Sequence, residues 1–404
     1  MSDFLMLLAT VPTITAFVGW VTNWAAVKMI FWPEQFIGIG PLGWQGILIR
    51  RAPKFATGVA DVVTEHLISP REMAERLDPD EMERLFGDTV DSQSEPILQE
   101  VAELVQPGSW GAIPDPVKEM VRSQVQRESR QLIRELFDKL QGLSEQLLDL
   151  KGLIFTSLSG DNTRTLVRLT QEIGHKEFKF IEYYGGIFGF IIGMVQIGVY
   201  SYMQTWWLMP IVGVIVGLVT NWLAIQMIFR PQEPKRYLGL VTYQGLFPKR
   251  QAEISRDYGR VASDEILTPR NLIRLVTEGE AGSRLSKIVI DTVSTRIDER
   301  YQTMKPMIPV EITPEMMSKA KAVLVHRITE TVPTIRPQFE DYLKRKLDIG
   351  NTIEGKLSHL PKPEFERILR GIFEEDEAIL IAVGGFLGGA VGVLQGMLVL
   401  VLGG

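Results

Sequence analysis

Three stretches without a single charge constrain this chain more than any other feature. Phe4 to Val27, Tyr183 to Phe229 and Ala378 to Gly404 contain no Asp, Glu, Lys or Arg, and most of their residues are apolar. About 20 apolar residues cross the hydrocarbon core of a bilayer as a helix, so the first and last stretches are single spans and the middle one is long enough for two. The expected architecture is therefore an all-α, polytopic membrane protein with four transmembrane helices. These run over 1–32, 181–203, 206–230 and 378–404, and the connecting segments 33–180 and 231–377 are interfacial and helical. The turn between the two middle spans falls near "YSYMQTWW", where Tyr200, Tyr202, Trp206 and Trp207 suit an interfacial aromatic belt. The N-terminus is a poor cleaved leader, because basic residues do not precede its apolar run.

The segments between the spans hold the charge. A net charge of -6, with basic and acidic residues alternating, gives no case for nucleic acid as a partner. The absence of cysteine leaves neither a disulfide framework nor a thiolate site. Basic residues cluster beside the spans: Arg50, Arg51 and Lys54 after the first, Lys176 and Lys179 before the second, Arg230, Lys235, Arg236, Lys249 and Arg250 after the third. With four spans all of them fall on one side. The positive-inside rule makes that side cytoplasmic, which leaves both termini and the short aromatic turn outside. The acidic run Glu374 to Glu377 departs from the pattern, but carboxylates count weakly in the rule.

The chain also repeats itself. "GWVTNWAAVKMIFWP" at residue 19 aligns with "GLVTNWLAIQMIFRP" at residue 217, and after a one-residue insertion in the second copy the alignment continues through Gln45-Gly46 with Gln244-Gly245, Ser69-Pro70-Arg71 with Thr268-Pro269-Arg270, and Gly185 with Gly384. This reads as a tandem duplication of one unit: span, cytoplasmic segment, span. Each unit crosses an even number of times, so the copies share one orientation about a pseudo-two-fold axis along the membrane normal.

Between the spans the pattern is amphipathic and helical. From 117 to 140 apolar residues recur at spacings of three and four, with charges on the other face. Ser69 and Thr268 each precede a proline and read as helix caps. "QPGSWGAIPDP" interrupts the helices, and no alternating run is long enough to predict a strand. The cytoplasmic part is expected to form helical bundles or long helices paired across the two copies.

The motif G-x-V-T-N-W-x-A-I-x-M-I-F-R-P, followed by Q-G-L-F-P-K-R-Q-A-E-I, resembles the bacterial membrane-protein family called domain of unknown function 445. In the first copy "GILIRRAPKF" lacks the proline present as Pro248. The resemblance implies a bacterial multi-pass membrane protein and brings no catalytic residue with it.

Polar residues inside the spans are the first candidates for a site. Asn23 and Asn221, with Thr22 and Thr220, lie in hydrocarbon and need partners. They read as an interhelical bond, the two asparagines facing each other across the axis, or as a polar site at the repeat interface. Gly185, Gly189 and Gly193, like Gly384, Gly388 and Gly392, recur every four residues and suit close helix packing, with homo-oligomerisation as the alternative. Lys28 can snorkel to headgroups, and Arg50, Arg51, Lys249 and Arg250 are candidates for contact with anionic lipid or simple topology anchors.

Catalytic signatures fail inspection. "GNTIEGKL" imitates a phosphate loop but has Leu357 where a hydroxyl must reach magnesium, and His66, His175, His326 and His359 are scattered. No catalytic residue, metal or cofactor is expected. The leading reading is a non-enzymatic scaffold, or a protein of envelope and lipid organisation at the inner leaflet, with membrane lipids as partners. The alternative is a small transporter or channel.

Overall fold

A computed structural model describes residues 2–39, 42–203, 207–237, 239, 241–305 and 312–402. Among the described residues four helices are long and apolar enough to cross a membrane: α1 (Ser2–Phe31), α10 (Thr163–Met203), α11 (Leu208–Phe229) and α18 (Lys362–Leu402). α10 and α18 run without interruption from charged sequence into apolar sequence, so the boundaries 180/181 and 377/378 fall inside continuous helices.

α1 and α11 lead into matching structures. Pro33 and Pro231, each after a cis peptide bond, cannot continue the helical ladder and end it. The chain then forms a short antiparallel hairpin, β1 (Ile37–Ile39) with β2 (Leu42–Trp44) in one case and β3 (Lys235–Tyr237) with β4 (Val241–Tyr243) in the other. The architecture remains all-α, and the sequence does not mark these hairpins because three-residue strands are too short to leave an alternating signature. Each hairpin folds back onto the helix it leaves. Gly46 N–H donates to the Pro33 carbonyl at 3.0 Å and Gly245 N–H to the Pro231 carbonyl at 2.9 Å, while the side chains of Gln45 and Gln244 donate to the carbonyls of Glu34 and Gln232. A Cβ on Gly46 would lie 2.8 Å from the Phe31 carbonyl carbon, and one on Gly245 2.7 Å from that of Phe229, so the Gln-Gly pairs are required by this closure.

The remaining elements also run in parallel. α2 (Ile47–Arg50), α3 (Ala52–Val62), a π-turn at Val63–Leu67, α4 (Pro70–Glu75), α5 (Pro79–Val105), α6 (Ser109–Ala112), α7 (Asp115–Gly142), α8 (Ser144–Leu147) and α9 (Leu150–Leu158) precede α10. α12 (Leu246–Lys249), α13 (Gln251–Val261), a π-turn at Ala262–Ile266, α14 (Pro269–Thr277), α15 (Gly279–Met304), α16 (Pro314–Leu347) and α17 (Ile349–His359) precede α18. Ser69 and Thr268 cap α4 and α14, each hydroxyl accepting from the backbone N–H three residues on at 3.1 Å.

The chain divides into two compact units. One comprises residues 1–63, 154–261 and 350–404, the other 64–153 and 262–349. In the second unit α5 packs on α7 and α16, and α15 on α7 and α14. Phe86 of α5 stands 5.6 Å from both Phe137 of α7 and Phe339 of α16, and Met82 is fully buried. Around this core ion pairs join the two halves of the sequence, among them Arg300 to Glu128 at 2.6 Å, Arg327 to Glu100 at 2.7 Å and Lys346 to Glu81 at 2.8 Å.

In the first unit α1 pairs with α10 and α11 with α18, both antiparallel. Lipid tails are as apolar as leucine, so such pairs are held by close packing rather than by expulsion of water. Exposed Phe17, Trp20, Ile191, Ile215 and Phe386 cover the outside, as a lipid-facing surface allows. Met29, in the last turn of α1, and Ile228 and Phe229, at the end of α11, all sit beside residues 378–381 of α18. The ends of α1 and α11, with their hairpins, therefore lie at one end of the bundle.

Candidate functional site

The glycines make both helix seams. Gly19 meets Gly185 and Gly189, and Gly193 sits on Pro12 and Thr15; Gly217 meets Gly384, Gly213 meets Gly388, and Gly392 sits on Met209 and Pro210. A Cβ on Gly193 would lie 2.7 Å from the Pro12 Cα, and one on Gly392 2.7 Å from the Pro210 Cα.

One turn further along each seam is an asparagine. Asn23 Nδ2 donates to the Ile181 carbonyl at 2.7 Å, and Asn221 Nδ2 donates to the Leu380 carbonyl at 2.7 Å. The expectation that the two asparagines pair with each other is corrected: each bonds along its own seam. The reason is room. Gly185 and Gly384 lack the Cβ that would stand 2.6 Å from the asparagine Cγ, so the amide slides against the facing backbone. Thr22 and Thr220 are buried and turn back to the carbonyls of Gly19 and Gly217 in their own helices. The Oδ1 atoms of Asn23 and Asn221 are buried without a hydrogen-bond partner. A second polar contact lies deeper, where the Thr15 hydroxyl, donating to the Val11 carbonyl at 2.8 Å, stands 3.4 Å from Gln196 Oε1. No spacing rule on one helix could anticipate it, because Gln196 is a lone polar residue in an apolar run.

The cationic residues separate into two groups. Lys28, Arg50 and Lys249 are exposed, and Arg51 is half-buried. Arg250 is different: its side chain is 13% exposed and pairs with Glu177, itself 4% exposed, and with Glu253 at 2.9 Å. A headgroup role for Arg250 is corrected accordingly. α10 extends past the span and carries Glu177 to α13, and a buried carboxylate needs a cation nearby. Burial works against the Arg250 charge, yet Glu253 and Glu177 outweigh it and raise its pKa. The Arg250 and Lys176 side chains in turn hold the Glu253 carboxyl down at about 2. Glu177 was missed in the sequence because it is flanked by Lys176 and Lys179, which mask it in a count of basic residues. A comparable buried acid, Glu366, accepts from Gln232 and pairs with Arg230 at 3.4 Å.

Trp207 is half exposed, Trp206 lies outside the described residues, and so do the side chains of Tyr200 and Tyr202. Among the described residues no group of three or more His, Asp or Glu is arranged to hold a metal ion.

Comparison with known proteins agrees with the membrane helices. The chain is 30% identical over 141 residues to a UPF0754 membrane protein of Exiguobacterium sibiricum, covering 31% of this chain and 37% of that one. It is 27% identical over 203 residues to a UPF0754 membrane protein of Bacillus thuringiensis, covering 44% and 52%. A Geobacillus thermodenitrificans relative of the same name is 39% identical over 72 residues, 17% of this chain and 19% of its own. The matched stretches thus span about half of these relatives' length or less. No solved structure matches. The family model described as "Protein of unknown function (DUF445)" matches residues 13–141 and 211–334, and with its four apolar helices the chain belongs to that family as a membrane protein.

Proposed function

We propose that this protein is a non-enzymatic scaffold of the bacterial cytoplasmic membrane, acting in envelope or lipid organisation at the inner leaflet. In this reading the chain is a tandem duplication of a two-pass unit, its termini lie outside, and the amphipathic helices α5, α7, α15 and α16 are cytoplasmic. The observation that carries it is the repeated exit from the membrane. α1 and α11 each end in a proline, a hairpin closed by a Gln-Gly pair and a short helix with an exposed cation, Arg50 or Lys249, at its end. Both exits lie at one end of the bundle, where exposed cations meet anionic headgroups and screening is incomplete. A matched series of caps and π-turns after each exit supports duplication.

The test is binding of the purified protein to vesicles of phosphatidylglycerol against vesicles of phosphatidylcholine, with Lys28, Arg50, Arg51 and Lys249 changed to Gln. Loss of the preference for phosphatidylglycerol is expected. An unchanged preference would remove the headgroup role.

A second reading, a small transporter or channel, is favoured by the unpartnered Oδ1 atoms of Asn23 and Asn221 in the bundle. Solute flux through proteoliposomes, abolished by Asn→Leu at both positions, is its expected sign. Oligomerisation through leftover helix surface would enlarge such a path.

A further inference from the structure

The two exits differ at one place, and the difference is an opening. Trp44 ends β2 and Tyr243 ends β4 at matched positions. The Tyr243 hydroxyl donates to the Met227 carbonyl of its own spanning helix at 2.6 Å. On α10, Tyr184 stacks on Phe180 with ring centroids 4.0 Å apart. Phe180 in turn packs against the end of α11. Phe180, with Tyr184 stacked on it, thus lies against the end of α11.

At the other exit those side chains are missing. The register that places Asn23 on Ile181 and Asn221 on Leu380 sets Tyr183 and Tyr184 of α10 against Ala382 and Val383 of α18. In place of two tyrosines stand an alanine and a valine, and a groove of about 590 Å³ remains between Met29, Trp44 and α18, lined almost wholly by apolar atoms, with Ala382, Val383 and Phe386 along its side. Unlike Tyr243, Trp44 has no acceptor for its indole N–H among the described residues, and that N–H is buried.

We propose that this groove holds one acyl chain of a phospholipid as a retained lipid. Its position argues for the occupant. It opens beside the last turn of α1 and the first apolar turns of α18, the level at which acyl chains meet the ester region. An unfilled apolar space there is taken by the surrounding tails, not by water. The inference deepens the lipid-facing reading above and rests on it for the level of the groove in the membrane, though not on any headgroup contact.

The experiment is native mass spectrometry of the full chain released from nanodiscs of phosphatidylglycerol and phosphatidylethanolamine. One phospholipid retained by the unaltered protein is expected. The double variant Ala382→Tyr with Val383→Tyr, which copies the other exit, should lose it. The converse variant, Tyr183→Ala with Tyr184→Val, opens the matched place and should retain a second lipid. If the filled variant keeps the same lipid, or if the opened variant gains none, the proposal is overturned. The converse variant decides the matter should the filled one fail to fold. Lys28→Gln with Arg50→Gln and Lys249→Gln should leave the retained lipid in place, which separates failure of the groove from failure of the headgroup reading.

Discussion

The seams within each helix pair and the corners at the membrane exits obey different rules. At the asparagines the two seams agree to the hydrogen bond, Asn23 on Ile181 and Asn221 on Leu380, both at 2.7 Å, each beside a glycine that makes room, while Thr15 beside Gln196 is matched by Gly213. At the corners they part. The second half fastens its hairpin with Tyr243, whereas the first places Trp44 beside an open groove. Packing of backbone on backbone leaves few solutions, so two stretches of chain that meet that closely look alike. A corner at the lipid boundary is less constrained, and there one half can differ from the other.

Arg250→Gln leaves the Glu177 carboxylate buried without its cation, so thermal unfolding in detergent should show a loss of about 3–5 kcal/mol, with much of it recovered by adding Glu177→Gln. A double variant no more stable than the single would show that the stranded charge is not the cause. Gly193→Val and Gly392→Val each force a Cβ against a proline Cα and should cost about 1–3 kcal/mol apiece. Unequal losses would break the equivalence of the seams.

At the corners the effects should be unequal by design. Tyr243→Phe removes a bond of 2.6 Å and should cost about 1 kcal/mol, while Trp44→Phe removes no protein hydrogen bond and should cost less. The smallest effect is on acid stability. The Glu253 carboxyl is held at about 2 instead of 4.5, so its contribution is present above about 4.5 and fades as the pH falls toward 2. Because Glu253 is 43% exposed the amplitude is small, and Glu253→Gln should flatten the unfolding temperature across that window.

Much of the seam was legible in the sequence, because hydropathy, glycine spacing and caps are local signals. The four spans, the caps at Ser69 and Thr268 and the break after Val105 arise from residues within a few positions of one another. The hairpins were not legible, since three residues per strand carry no period. Nor were the partners of Asn23 and Arg250, which lie 158 and 73 residues away in sequence. Burial of Glu177 depends on how far α10 extends beyond the apolar run, and composition does not mark that length.

In the topology proposed above both halves leave the membrane on its cytoplasmic face. The chain has no cysteine, so Arg50→Cys and Lys249→Cys each give a single thiol at an exposed position beside a hairpin. In intact cells a membrane-impermeant maleimide should label neither, and after permeabilisation it should label both. Labelling of either one in intact cells would contradict the account, and labelling of one but not the other would put the two exits on opposite faces.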